Sequence, residues 1–369
     1  MRLLLIDNAG LVYRNNRLCC VEGTGKFAAE LLGLGADVTM YGQKVVTTSN
    51  VSIFDIEAHG INTAGLWRKK NKILNYLTLY SDVVKYIRRS DFVYIFYPNA
   101  LRYVAILCWV LRKRYGLYVR GDDGIEKKIS KSIYKGASIV LTVSQLFTDM
   151  VNSVARSKVS ETIRPMLSYD DRDIVRNREY KKKDFYELLF LCRIQKQKGI
   201  IELLDAIKQL KESGLNCFHL TVAGDGDYLE QSQYECGKRG LENDVSFLGG
   251  IYDNELKADL FKKAELYVLP TYYNEGFPRT LYEAMIFGTP VITTMVAGIP
   301  ALMKDGENCM ALLPRSVESI KDALLYAMNN YEEMGRMAKN ATDLVAKVVD
   351  HKRPSHARQL YEIIKGYDK

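Results

Sequence analysis

The run Leu269-Pro270-Thr271-Tyr272-Tyr273-Asn274-Glu275-Gly276-Phe277-Pro278-Arg279-Thr280-Leu281-Tyr282-Glu283-Ala284-Met285-Ile286-Phe287-Gly288-Thr289-Pro290-Val291-Ile292-Thr293 packs a strand end, a loop, a helix and a second strand into one short stretch. The strand ends at Pro270, and a polar loop carries Glu275-Gly276-Phe277. Pro278 suits the first turn of a helix that Gly288 and Pro290 terminate. Loop amides and a helix start together offer N–H donors to diphosphate oxygens, Pro278 itself having no amide hydrogen. Glu275 and Glu283 stand eight apart, and a carboxylate accepts hydrogen bonds from sugar or ribose hydroxyls. The pair can therefore hold two polyol groups flanking a diphosphate. Either glutamate alone also fits a plainer role, as a solvated loop residue or as an acid favoured by the positive end of a helix.

Working outward, short β-branched or aromatic runs alternate with longer helical-period segments, the pattern of parallel sheets covered by helices. The first half predicts strands Leu3–Asp7, Asp37–Tyr41, Phe92–Tyr97, Leu117–Arg120 and Ser138–Val143. Its helices are Gly25–Leu34, Asn71–Arg89 and Ala100–Arg114. Residues 168–184 are almost all charged or polar and read as a linker. The alternation then restarts at strand Tyr186–Leu191 and runs to strand Val291–Thr293. The expected organisation is α/β with two Rossmann-like domains. Residues 1–167 form the first domain, 168–184 the linker and 185–350 the second domain, and the helix in 351–369 packs back onto the first. Open parallel sheets bind ligands at their carboxyl ends, so the site is expected in a cleft between the two domains.

The 369 residues are 47% hydrophobic and 26% charged, which excludes a disordered or fibrous chain. The net charge of +8 is unevenly spread. Residues 1–180 hold 27 basic and 17 acidic groups (+10), residues 181–369 hold 25 and 27 (−2), and residues 61–120 alone hold 12 and 2 (+10). Seven cysteines form no C-x-x-C pair and no zinc spacing, which points to a reducing compartment with no structural metal. The apolar start Leu3–Ile6 is too short for a signal peptide and Tyr103–Leu111 too short for a membrane span.

The full run Glu-Gly-Phe-Pro-x-x-Leu-x-Glu-Ala-Met-x-x-Gly-x-Pro-Val-Ile resembles the signature of the retaining glycosyltransferases of family four, with their GT-B fold and Glu-x7-Glu motif. Phe190-Leu191-Cys192-Arg193-Ile194-Gln195-Lys196-Gln197-Lys198-Gly199 is similar to the family's strand–Arg–loop–Lys–Gly segment, and the resemblance places Arg193 and Lys198 on the donor diphosphate. Two cations at a strand end can neutralise such a leaving group without a metal. Val222-Ala223-Gly224-Asp225-Gly226 resembles the family's Gly-Asp-Gly turn. Val245-Ser246-Phe247-Leu248-Gly249-Gly250 resembles its Phe-Leu-Gly strand end, so Gly250 and Ile251 are expected near the nucleotide base. The resemblance further implies Glu283 on the donor ribose, and Glu275 with Gly276, Phe277, Thr280 and Leu281 on the sugar.

The amino-terminal half departs more from the family. Glu22-Gly23-Thr24-Gly25-Lys26 matches where relatives bring a glycine-rich loop to the donor phosphates, through Gly23 and Gly25. A P-loop fails at Cys20 and Phe27. The dinucleotide fingerprint is met only as Gly23-x-Gly25-x-x-Ala28, with Lys44 where a ribose acid is expected. Relatives often carry a histidine after the strand matching Leu117–Arg120. Here Arg120-Gly121-Asp122-Asp123-Gly124 stands there, making Asp122 or Arg120 the substitute for that role on the transferred sugar.

Arg68, Lys69, Lys70 and Lys72, then Lys85, Arg88 and Arg89, then Arg112, Lys113 and Arg114 supply 10 of the 12 cations in residues 61–120. Ile73, Leu74, Leu77, Val84 and Ile87 follow the first cluster at helical spacing, with Tyr76 and Tyr80 interleaved. That pattern fits either a core-facing stripe or a helix lying on anionic lipid. No motif supports nucleic-acid binding.

The resemblance implies a metal-independent retaining hexosyltransferase without a cofactor, with 1–167 as its acceptor-side domain and 185–350 as its nucleotide-sugar-binding domain. It takes a nucleotide-sugar donor, a UDP-sugar by family frequency, and a saccharide or lipid-linked acceptor in cell-surface polysaccharide or glycolipid synthesis. It is expected in the cytoplasm, peripheral on the inner face of the membrane through residues 61–120. A nucleotide-sugar epimerase of the same fold and a non-catalytic nucleotide-sugar binder are the alternatives.

Overall fold

The computed structural model describes residues 1–7, 10–14, 16–46, 54–98, 101–121, 125, 128–274 and 276–367. Two compact units emerge, one of Met1–Met166 with Lys352–Lys369 and one of Leu167–His351.

The first unit is built on a seven-stranded, all-parallel sheet. Its order is Ser160–Thr162, Ile139–Thr142, Tyr115–Val119, Phe92–Tyr97, Arg2–Ile6, Asp37–Tyr41, Asn62–Ala64. Side chains alternate across a strand, so Leu3 and Leu5 enter one core and Leu4 and Ile6 the other. Helices Glu22–Gly33 and His356–Gly366 cover the first face through Phe27, Leu31, Leu360 and Ile364. Helices Lys72–Arg89, Val104–Val110, Lys128–Gly136 and Gln145–Ala155 cover the second.

His356 fastens the returning helix. It is buried, its ring centre lies 4.4 Å from that of Phe27 in a tilted pair, and Nε2 sits 2.6 Å from the Tyr94 hydroxyl. Burial pushes its pKa down to about 3, so the ring is neutral. The Met166 sulfur, 3.4 Å from Nδ1, is only an acceptor toward it. The proton therefore belongs on Nδ1, and Tyr94 donates to Nε2.

A small four-stranded sheet, Lys44–Val46, Leu11–Arg14, Arg17–Cys20, Phe54–Asp55, does not follow from the sequence pattern. Its strands have two to four residues, too few for a period-2 signal. The helix expected over Ala100–Arg114 is confined to Val104–Val110. Arg112, at a φ of +53°, ends it, and Ala100 lies outside the described residues.

The second unit has a six-stranded parallel sheet in the order Val245–Gly249, Phe218–Ala223, Tyr186–Leu191, Leu266–Leu269, Val291–Thr294, Met310–Leu312. Leu188 and Phe190 face one core, Leu189 and Leu191 the other.

Residues 168–184, expected as a polar linker, instead pack on this unit. Tyr169 is buried, and its hydroxyl donates to the Asn254 carbonyl. Asp170 caps a turn at Asp171–Asp173. The Arg178 guanidinium donates to the carbonyls of Phe261 and Ala264, at the end of helix Asn254–Lys263. Tyr180 donates to Gly288 at 2.7 Å, and its ring lies so close to Gly335 that a β-carbon there would sit 2.3 Å away. The polar composition is spent on backbone carbonyls that need donors, which hydropathy cannot distinguish from solvation.

Candidate functional site

Four neighbouring strands of the second sheet deliver their carboxyl ends together, and the loops that follow them carry most of the expected donor-site residues. Backbone hydrogen bonds lock these loops to one another. Ile194 N–H donates to Asp225 (3.0 Å), Tyr228 N–H to Ile194 (3.2 Å), and Gly224 N–H to Gly249 (2.7 Å). Gly224 stands at a φ of +142°, and a β-carbon there would lie 1.8 Å from the Cys192 carbonyl oxygen. At Gly226 it would lie 2.1 Å from the Ile194 carbonyl oxygen. The Gly-Asp-Gly turn is thus glycine because the Arg193 loop occupies the space of any side chain. Beyond the next strand, Gly250 is exposed beside Tyr252, and Ile251 is half-buried against the core.

Arg193 is exposed, whereas Lys198 is only 5% exposed and holds its ammonium 5.1 Å from the Tyr273 ring centre. A tight turn at Lys196–Lys198 sets this position. Gly199, at a φ of +81°, follows it against the Pro270 carbonyl. Tyr272 N–H donates to Gln197 (2.8 Å), so the turn bearing Lys198 and the loop leading to Glu275 move as one piece. Thr294 donates from its hydroxyl to Thr271, fixing the same loop from the far side. Glu275 itself lies outside the described residues.

Helix Arg279–Ile286 begins directly after Pro278. Its first amides, at Arg279 and Thr280, belong to the turn that has no intrahelical acceptor. Leu281 takes a core role instead. Its side chain is fully buried, and its N–H already donates to Pro278 at 3.1 Å. The Thr280 hydroxyl accepts from that of Tyr267 at 2.7 Å. Gly276 sits against Gly298, where a β-carbon would come within 2.7 Å of its carbonyl carbon. Phe277 is buried with its ring 4.5 Å from that of Tyr282.

Glu283 is 6% exposed, with Oε1 3.8 Å from Lys257 Nζ and a buried Oε2 that has no hydrogen-bond partner among the described residues. Burial pushes its carboxyl above the usual range, and Lys257 and Arg279 pull against that. A buried carboxylate oxygen without a donor is costly unless a ligand supplies one. Lys257 and Tyr169 were not singled out in the sequence. One lies on an ordinary amphipathic helix and the other in the polar stretch, and neither sits in a motif.

In the first unit, Gly23 and Gly25 lie within the first turn of helix Glu22–Gly33 rather than in a loop before it. Gly25 is glycine because a β-carbon would strike the Phe54 ring at 2.2 Å. Arg120 is exposed just past strand Tyr115–Val119, its guanidinium 5.9 Å from the Tyr118 ring centre. Asp122 lies outside the described residues. Among the described residues, one group of possible metal ligands draws together, Asp171, Asp350 and His351. His351 Nδ1 lies 2.8 Å from Asp171, and His351 N–H donates to the same carboxylate at 2.7 Å, an arrangement that anchors the Asp171–Asp173 turn.

The profile of the family described as glycosyl transferases group 1 matches residues 171–344, the stretch that holds these loops. Residues 171–344 are thus similar to the group 1 glycosyl transferases. An uncharacterized glycosyltransferase of Methanocaldococcus jannaschii is 29% identical over 216 residues, 56% of this chain and 54% of its own length. The alpha-D-kanosaminyltransferase of Streptomyces kanamyceticus is 26% identical over 227 residues, 62% of this chain and 54% of its own. The chain thus spans about half the length of these curated relatives. Anabaena HepE in complex with UDP-glucose superposes with a TM-score of 0.69 at 17% identity, covering 100% of this chain and 99% of that one. The fold is that of the GT-B glycosyltransferases, an α/β protein with two parallel-sheet Rossmann-like units.

Proposed function

We propose that the protein is a retaining glycosyltransferase. It moves a sugar from a nucleotide diphosphate donor, a UDP-sugar, to a saccharide or lipid-linked acceptor without a metal. The observation that carries this reading is the buried, incompletely satisfied carboxylate of Glu283, on the helix that follows one of the strand-end loops of the sheet whose neighbouring loop carries Arg193 and Lys198. Ribose hydroxyls donate to Glu283. Arg193 and Lys198 neutralise the diphosphate, on which charge grows as the glycosyl bond breaks, so they act mainly in the transition state. Amides at Gly276, Phe277, Arg279 and Thr280 serve diphosphate and sugar oxygens, with Glu275 on the sugar. Gly250 and Ile251 border the base. By family resemblance, Gly23 and Gly25 serve the donor phosphates, and Arg120 or Asp122 the outer hydroxyls of the transferred sugar. The kanosaminyltransferase and the UDP-glucose complex of HepE support the class of reaction and the class of donor.

Thermal stabilisation by a panel of nucleotides and nucleotide sugars tests the donor, and hydrolysis of the same panel tests turnover. UDP compounds are expected to stabilise the protein; a panel without effect overturns the reading. An epimerase would interconvert free nucleotide sugars without releasing the nucleotide, and a non-catalytic binder would be stabilised without turnover. The protein is further proposed to work in the cytoplasm, at the inner face of the membrane, in cell-surface polysaccharide or glycolipid synthesis. Among the described residues no helix is long and apolar enough to cross a membrane.

A further inference from the structure

Helix Lys72–Arg89 is apolar on two sides. Asn75, Leu79, Val83 and Ile87 face the core. Ile73 and Leu77, at 74% and 64% exposure, share the outer side with half-buried Val84 and with Arg88, the i, i+4, i+11 and i+15 positions of one helical stripe, while Leu74 is 50% exposed beside them. The residues expected to form one stripe therefore divide, with Ile87 inside and Ile73, Leu74 and Leu77 outside. On the neighbouring helix Val104–Val110, which packs on the same face of the sheet, Trp109 and Val110 are 71% and 66% exposed.

The fold holds this apolar edge in place beside cations. Asn71 caps the helix by accepting from Leu74 N–H at 3.0 Å, and buried Asn75 accepts from Lys69 N–H at 2.8 Å. The segment Trp67–Lys70 is thereby pinned beside Ile73 and Leu74. Trp67 meets Tyr13 edge-on at 5.5 Å, and Arg68 N–H donates to Lys44 at 3.0 Å. From 61 to 81 the chain has no acidic residue against Arg68, Lys69, Lys70 and Lys72. Asp82, the first acid, is ion-paired to Lys85 at 2.6 Å. The helices on the opposite face of the sheet are charge-balanced instead, with Glu22, Lys26 and Glu30 on one and Arg358, Glu362 and Lys365 on the other.

We propose that the outer surface of helix Lys72–Arg89, with the Trp67–Lys70 edge and Trp109–Val110, docks on an anionic lipid bilayer. Ile73, Leu74, Leu77 and Trp109 reach the head-group boundary, and the flanking lysines and arginines meet phosphate. Charge complementarity chooses this occupant. Four consecutive-turn cations without an acid attract an anionic surface, and the aliphatic and aromatic side chains between them suit a layer that is polar above and apolar below. Asn75 spends its side-chain carbonyl on fixing the basic segment, so the edge is already ordered before it meets lipid. This names the surface behind the peripheral association proposed above, and it rests on that part of the reading.

Co-sedimentation of the full chain with phosphatidylcholine vesicles, with and without phosphatidylglycerol, tests it. Binding is expected only with phosphatidylglycerol and should weaken as salt rises. The exposed pairs Ile73→Ser with Leu77→Ser, and Lys69→Gln with Lys70→Gln, should each weaken it about tenfold. Lys26→Gln with Lys365→Gln, on the opposite helices, should leave it unchanged. Thermal stabilisation by UDP, measured without vesicles, should be the same in all these variants, which keeps the donor-site reading separate from this one. Equal sedimentation of the Ile73/Leu77 variant overturns the proposal, as does equal binding to neutral vesicles at high salt. Self-association that the Ile73/Leu77 change abolishes would make the occupant a second copy, and competition by duplex DNA would make it nucleic acid; either result overturns the lipid assignment.

Discussion

Lys257→Met removes the ion-pair partner of the buried carboxylate of Glu283. The pair is 3.8 Å apart, and the Lys257 side chain is 20% exposed. Unit charges about 4 Å apart interact by about 4 kcal/mol at an effective dielectric constant of about 20. Solvation of the lysine head group roughly halves this, leaving on the order of 2 kcal/mol, or about thirtyfold in affinity. Burial already raises the Glu283 pKa, and Lys257 is the largest influence against that rise. Removing it moves the pKa further up and favours the protonated carboxyl, a poorer acceptor for ribose hydroxyls. UDP affinity at pH 7 should therefore fall about thirtyfold in Lys257→Met and stay near wild type in Lys257→Arg.

The pH dependence has a defined sign. A carboxyl with a raised folded pKa holds its proton more readily in the fold, so its ionisation costs stability as pH rises through that pKa. Affinity for UDP, which uses the ionised form, rises through the same window. Both transitions should lie at higher pH in Lys257→Met, and raising pH should restore binding. Arg279 lies on the same helix, Tyr169 faces the carboxyl from the preceding segment, and neither variant changes them. Titration calorimetry from pH 5 to pH 9 reads the shift. An unchanged pH profile in Lys257→Met would refute the reasoning, whatever its effect on overall stability.

Glu275→Ala should abolish sugar transfer while UDP binding persists, as read by product formation beside thermal stabilisation. Arg193→Ala and Lys198→Ala should each lower turnover by roughly 10²–10³; a loss confined to donor affinity would show that they do not act on the developing charge. Gly224→Ala forces a β-carbon onto the Cys192 carbonyl at a φ of +142°, and should cost at least about 1–3 kcal/mol in urea unfolding. His356 has its pKa lowered by burial from 6.5 to about 3, so the unfolded chain binds its proton first. Stability should fall as pH drops from 6.5 toward 3, and His356→Phe should flatten that part of the profile in chemical denaturation.

The two parallel sheets were legible because βα alternation repeats over long segments, and most strand bounds agree within two residues, as at Phe92–Tyr97 and Tyr186–Leu191. The small sheet around Leu11–Cys20 was not, since strands of two to four residues carry no period. Helix Lys72–Arg89 was found, but its buried face was not. An apolar stripe identifies a helix without saying which of two stripes the sheet will take. Within the site, Arg193, Lys198 and Glu283 could be named because they sit in runs with fixed neighbours. Lys257 reaches Glu283 from a different helix, a pairing that depends on tertiary packing alone. Leu281 is the reverse case, marked by the motif while its side chain is buried and its N–H donates to Pro278.

The helix His356–Gly366 completes the first core from the far side of the second unit in the chain. On the ribosome, domains generally mature in the order they emerge. Here residues 167–351 form a continuous segment that can fold while the earlier-made sheet still lacks Ala357, Leu360 and Ile364. The unit translated first is therefore the last to close, and until it does, Phe27, Tyr94 and Tyr118 are left without their His356 partner, a surface suited to chaperone capture. Deleting residues 352–369 should trap nascent chains in that state while leaving the Glu283 domain folded.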